Sequence, residues 1–347
     1  MKTKLVLPIV ALLALGLFLG SCATGMTPSS WTGVAADEER VYASGGTHVY
    51  AVNLQTHAEA WRFQIKAAAY ATPVLTGDGQ LIVGGYDHTL YSLDPASGTQ
   101  KWTFAEAHDR YVASVLVDGD TIYAANSDYR LYALGLNGSL KWSFKADQSI
   151  WGTPVVDGNN VYFGTLGHRV YAVDKASHET AWEVKLDGAI LGTPVLKDGV
   201  LYFGLFNGAI AALDTRDGRV LWQEAASSWV WSGPTLVNDT LYIGDNDGKL
   251  YAYSLDGDLA WMQELNGAIL GAPAVTESGL LVGTDMGNVY FVSLDGKDIQ
   301  TAAVTGKIYA SPVPAGIVII IAPTAGDNLL VALDENRAQA WNFTPAK

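Results

Sequence analysis

Tryptophan recurs in this chain at a nearly fixed interval. Trp61, Trp102, Trp142, Trp182, Trp222 and Trp261 are separated by 41, 40, 40, 40 and 39 residues. Two further steps land on Thr301 and Trp341, so the series has eight members, one without its indole. A second marker keeps phase about 28 residues ahead: Pro73, Ser114, Pro154, Pro194, Pro234, Pro273 and Pro312, with the first copy falling near Gly33. Two phase-locked markers define a repeat architecture. One such unit cannot bury its own apolar faces and must stack on its neighbours.

Each repeat reads as strand. In one copy, Thr193-Pro194-Val195-Leu196 is a short apolar strand and Lys197-Asp198-Gly199 a hairpin turn. Val200 to Gly204 is a second strand, Asn207-Gly208 a second turn, Ala209 to Leu213 a third strand, and Val220 to Glu224 a fourth carrying Trp222. Four short strands per repeat, without helical periodicity, predict an all-β fold: an eight-bladed β-propeller of four-stranded antiparallel blades. Each tryptophan is expected on an outer strand, packed against the next blade. With the last copy ending at Trp341-Asn342-Phe343, the chain ends can meet without a swapped strand.

The third-to-fourth strand segment resembles the tryptophan-docking motif of PQQ-type propellers, Ala-x-Asp-x-x-x-Gly-x-x-x-Trp. Tyr91-Ser92-Leu93-Asp94 with Gly98 and Trp102 is a close copy, and Ala212-Leu213-Asp214 with Gly218 and Trp222 is another. Tyr171-Ala172-Val173-Asp174 with Trp182 keeps all but the glycine, where His178 stands. The resemblance covers residues 31–347, which are expected to form the propeller.

The first residues follow a different logic. Lys2 and Lys4 precede an uncharged run from Leu5 to Gly20, the pattern of a secretory signal. The run ends in Leu19-Gly20-Ser21-Cys22, which resembles a bacterial lipobox. The expectation is a signal peptide over 1–21, lipidation of Cys22, and a small, polar tether over 22–30. Cys22 is the only cysteine, so no intramolecular disulfide can form. Ala23 in place of an aspartate favours the outer membrane over the inner.

The formal charge is −14, and loss of Lys2 and Lys4 with the signal takes it to −16. Such a surface repels nucleic acid and anionic headgroups, which leaves the lipid as the membrane anchor. No nucleophile elbow, Walker loop or His-Glu-x-x-His motif is present. His48, His88 and His168 recur at nearly one repeat position but on different blades, and read as turn residues rather than zinc ligands. Quinoprotein alcohol dehydrogenases hold their quinone with a vicinal disulfide, a calcium site and an aspartate base. This chain has no cysteine pair, so no cofactor, metal or catalytic residue is expected.

One aromatic series is left over. Three residues before each marker stand Tyr70, Tyr111, Trp151, Leu191, Trp231, Leu270 and Tyr309, with Trp229 beside Trp231. A fixed offset in every blade makes a ring. Its aromatic members either fill the throat of the channel or rim its mouth as a binding surface. Tyr70, Tyr111, Trp151, Trp229, Trp231 and Tyr309 are therefore the candidate partner-binding residues. Asp87, Asp128 and Asp247, in the turns before the third strands, are expected to surround that mouth with acid.

Signal, lipobox and eight PQQ-type blades together are similar to the BamB family, propeller lipoproteins of the outer-membrane β-barrel assembly machine. That resemblance implies a non-enzymatic, monomeric scaffold in the cell envelope, facing the periplasm or the exterior and binding protein partners. The alternatives are an extracytoplasmic binding module for a peptide, glycan or respiratory partner, and a PQQ-dependent dehydrogenase.

Overall fold

A computed structural model describes residues 32–346. Cys22, the signal segment and the tether lie outside the described residues. The described residues hold no helix and form eight four-stranded antiparallel sheets; seven use four consecutive strands, and in the last a short strand, Pro323–Thr324, intervenes between the second and third. These are blade 1 (34–64), blade 2 (74–104), blade 3 (116–145), blade 4 (155–185), blade 5 (195–225), blade 6 (235–264), blade 7 (274–303) and blade 8 (313–343). A two-strand ribbon, Lys307–Ile308 with Pro323–Thr324, joins blades 7 and 8. No blade borrows a strand from elsewhere in the chain, as the phase of the repeats predicts.

The second and third strands are buried over most of their length, and throughout in Leu81–Gly84 and Ala209–Asp214. Neighbouring blades cover both faces of these strands, so their sequences run apolar rather than alternating. The fourth strands face solvent and alternate, as in Thr180–Lys185. Eight hydrophobic clusters result, one at each interface between blades.

The repeat tryptophans hold these interfaces. Each pairs across its own sheet with a small residue: Ala51 with Trp61, Ser92 with Trp102, Ala212 with Trp222, Ala332 with Trp341. A β-bulge follows each pair and turns the indole toward the next blade. There the ring lies on the turn between the third and fourth strands. A methyl group added to Gly98 would come within 2.7 Å of Trp61, and one on Gly218 within 2.6 Å of Trp182. Both glycines have positive φ, 71° and 73°, so the position favours a residue that tolerates left-handed backbone, and at these two turns the indole lies on bare backbone. The indole nitrogens donate to the same turns: Trp61 to the Pro95 carbonyl (3.0 Å), Trp182 to Thr215 (2.7 Å) and Trp261 to Leu294 (3.0 Å).

Blade 7 solves the interface differently. Its third and fourth strands pair without a bulge, Phe291 opposite Gln300 and Tyr290 opposite Thr301. The aromatic ring moves to the third strand as Phe291. Arg337, at the turn position of blade 8 with φ 66°, lays its guanidinium 5.1 Å from the Phe291 ring.

One marker of the series is displaced. Leu116 pairs with Tyr123 as Val155 pairs with Tyr162, so Val115, not Ser114, stands at the proline position in blade 3. The third-to-fourth turn of that blade is one residue shorter than in blade 4. Gly135 N–H bonds the Ser139 carbonyl (2.8 Å), whereas Asp174 N–H reaches Glu179 (2.9 Å). The connection ahead of blade 3 is one residue longer. The two changes cancel between tryptophans and conceal the shift.

Candidate functional site at the channel mouth

The first strands of the blades surround an axial cavity of about 560 Å³. Tyr70, Trp151, Leu191, Trp231, Leu270 and Tyr309 all line it, as a fixed repeat offset requires. Beneath them lies a collar of hydroxyls, Thr72, Ser114, Thr153, Thr193, Ser232 and Ser311. Some of these link blades that share no ladder. Thr153 Oγ1 donates to the Ser114 carbonyl (3.1 Å), and Ser311 Oγ donates to the Ala272 carbonyl (2.7 Å). Among the described residues, no Asp, Glu, Lys, Arg or His lines the cavity.

Tyr111 is not part of this ring. It is fully buried between blades 2 and 3, and Val112 lines the channel in its place. The register shift of blade 3 drives Tyr111 into the slot over Gly84, which later blades fill with Ile190 over Gly164 and Val230 over Gly204. Its candidacy as a partner-binding residue therefore fails on burial, which also pushes its phenol well above the usual tyrosine range.

Trp229 stands outside the cavity and is 54% exposed. Its ring centroid lies 4.9 Å from Phe206, which lies 5.6 Å from Trp231, so three rings run outward from the channel. On another side of the mouth, Tyr70 packs 4.1 Å from Tyr86. Arg110 sits over Tyr86 at 5.2 Å and over Trp151 at 6.0 Å. Trp151 Nε1 donates to Ser127 Oγ (3.1 Å). Tyr86, Arg110 and Phe206 escaped the sequence reading because they come from connections and second-to-third turns, where residue type does not repeat.

The expected acidic surround is mostly consumed internally. Asp128 Oδ2 accepts from His108 N–H (2.9 Å) and from the Tyr132 hydroxyl (2.6 Å). Asp87 Oδ2 accepts from Lys66 N–H (3.2 Å) and from Tyr91. In blade 6 this task falls to the fully buried Asp245, which accepts from Tyr251 (2.9 Å), while Asp247 is exposed at the turn. These carboxylates tie each connection to the third strand of the blade it leads into.

His88 and His168 do replace the turn glycine, with φ 67° and 68°. His48 does not: it opens the third strand of blade 1 and pairs with Gly45. Among the described residues, no group of three or more His, Asp and Glu side chains is placed to hold a metal.

The family described as "Beta-alanine-activating enzyme, beta-propeller" matches residues 27–334. The chain belongs to this propeller family. No curated protein matches it. As a member of the family it shares its fold with BamB from Moraxella catarrhalis, at 20% identity and a TM-score of 0.70, over 84% of this chain and 92% of that one. It also resembles the computationally designed Ika8 protein, at 14% identity and a TM-score of 0.77, over 88% of this chain and 96% of that one. Both likenesses are of fold. In this family member the docking turns, the uncharged channel and the aromatic mouth are set by the residues above.

Proposed function

We propose that this propeller is a non-enzymatic scaffold of the bacterial cell envelope. Lipid on Cys22 anchors it, and it binds protein partners through the aromatic mouth of its channel, in outer-membrane protein assembly. The observation that carries this reading is the run Trp229, Phe206, Trp231, in which an exposed indole leads into the cavity. Such rings at a surface are the common anchors of protein interfaces. The lining carries no carboxylate, amine or imidazole to serve as a general base near neutral pH, and no cation to pair with a polycarboxylate quinone. The fold likeness to BamB and the lipobox at Cys22 support the envelope assignment.

The test is affinity capture of the full-length protein from mild-detergent extracts, followed by mass spectrometry. Trp229→Ala and Trp231→Ala should each reduce recovery of the partner roughly thirtyfold if they are hot spots of about 2 kcal/mol. Unchanged recovery with folded variants would place the partner surface elsewhere. In parallel, titration with PQQ and calcium should give no saturable quinone signal and no dehydrogenase turnover. Tight quinone binding would reject the non-enzymatic reading.

A further inference from the structure

The interface between blades 7 and 8 lacks the indole that the regular blades supply from the fourth strand. Thr301 is exposed in the strand Ile299–Ala303. Phe291 restores only part of the missing ring, and its cluster of Val289, Ala302, Ile308, Ile321, Val331 and Leu333 contains no tryptophan. A groove of about 650 Å³ lies beside this substitute contact, with Phe291 and Arg337 among its lining residues. It opens on the first-to-second and third-to-fourth turns, the face of the propeller opposite the aromatic mouth.

The walls of this groove are unusual for an exposed surface. Ile317, at the hairpin tip of blade 8, is 90% exposed, and Val275 on blade 7 is 44% exposed. Pro314, Val318 and Ile319 continue the apolar wall. Around them stand Glu277, Asp334 and Glu335, none in an ion pair among the described residues. Arg337 packs on Phe291 rather than on a carboxylate, and its Nε is buried without a hydrogen-bond partner. Apolar walls with an uncompensated acidic rim complement an apolar side chain flanked by positive charge.

We propose that the groove between blades 7 and 8 is a second docking site, for a partner segment that inserts a large aromatic side chain beside lysine or arginine. The inserted ring packs against the Phe291–Arg337 pair and the apolar wall of Ile317 and Val275. Glu277, Asp334 and Glu335 receive the flanking cations. The site lies on the other face from the channel mouth, so both can be occupied at once. It stands independently of what binds at the mouth.

The experiment is fluorescence anisotropy of a labelled Gly/Ser peptide carrying Lys-Trp-Lys at its centre, titrated with the full-length protein. Saturable binding is expected, with matched Lys-Ala-Lys and Glu-Trp-Glu peptides each at least about tenfold weaker. Ile317→Asp should weaken binding about tenfold. The pair Glu277→Lys and Glu335→Lys should invert the preference toward Glu-Trp-Glu. Met262→Ser, on the outer strand of blade 6, should leave binding unchanged. Ile317 and both glutamates are surface side chains, and unchanged circular dichroism confirms that the variants fold. Absence of saturable binding, or binding indifferent to Ile317→Asp, overturns the proposal. So does self-association of the protein that Ile317→Asp abolishes, since the groove would then cover a second copy.

Discussion

The imidazole of His57 stacks on the indole of Trp341, with centroids 5.0 Å apart and planes inclined by 15°. His57 lies in the third-to-fourth turn of blade 1 and Trp341 on the fourth strand of blade 8, so this pair closes the ring. His178 does the same for Trp142 at 4.9 Å and 20°. Both histidines hold positive φ, 58° and 63°, at the position glycine takes in most other blades. An aromatic ring lying parallel to the indole thus replaces bare backbone as the docking surface.

Loss of the seam indole should cost as much as loss of a core residue. Trp341 is 8% exposed, and Trp341→Ala should destabilise the protein by about 3–5 kcal/mol in urea unfolding. His57→Gly should fall within about 1 kcal/mol of wild type, since relief of the left-handed backbone offsets the lost stack. His57→Val, with a β-branched side chain at φ 58°, should be worse than glycine by about 1–3 kcal/mol. Equal stability of the glycine and valine variants would contradict this account of the turn.

Overpacking at one glycine should be relieved by its neighbour. A methyl group on Gly164 would meet Ile190 Cγ2 at 2.3 Å. Gly164→Ala should therefore cost about 1–3 kcal/mol. Ile190 Cβ lies almost as close, at 2.4 Å, so the relieving change is Ile190→Gly: combined with it, Gly164→Ala should cost less than the two single changes summed, by about 1 kcal/mol or more. Strict additivity in a double-mutant cycle would show that the two do not compete for space.

High pH should separate the tyrosines of the blades from free phenol. Burial, reinforced by the Asp157 carboxylate that accepts its hydroxyl at 2.7 Å, pushes the Tyr162 phenol from 10.0 up to about 12. Tyr91, buried and bonded to Asp87, is also raised to about 12. A raised phenol favours the neutral form in the folded state. Its stabilisation is complete below pH 10, the unfolded value, and is lost as the pH rises through 12. Phenolate absorbance at intermediate pH should be lower in the native protein than in urea, and unfolding should become easier across the same window. Coincident native and denatured titrations would refute the shift.

The anchor is tested by fractionation. Cys22→Ser should move the mature protein from the membrane to the soluble fraction and abolish labelling with a palmitate analogue. Unchanged membrane retention would remove the lipobox reading.

Blade number, the unswapped closure and the outer-strand tryptophans were all legible, because each docking indole imposes the same local chemistry at one interval. The exceptions arose where two irregularities offset each other or a task passed to another residue. A shortened turn at Gly135 and a lengthened connection before Tyr111 left the tryptophan spacing intact, so the sequence pattern placed Tyr111 on the wrong surface. The gap at Thr301 was visible, but its replacement by Phe291 was not: a phenylalanine in a buried strand looks like any core residue until its cross-strand partner is known. Likewise His178 registered as a lost glycine, and only the geometry shows it as a gained stack.

Because every blade is complete in itself, the seam between blades 8 and 1 carries no shared hydrogen-bond ladder. It is held by side chains: the His57–Trp341 stack, Tyr50 against Phe343 at 5.9 Å, and Arg62 Nη1 on the Ala346 carbonyl at 3.2 Å. Under tension applied between the two termini, the seam would behave as a fracture line. Stretching in an optical trap should first part blade 8 from blade 1 at low force, leaving an open arc that unrolls one blade at a time. A propeller latched by a strand from the opposite terminus would instead have to strip a whole hydrogen-bonded edge before any arc could open.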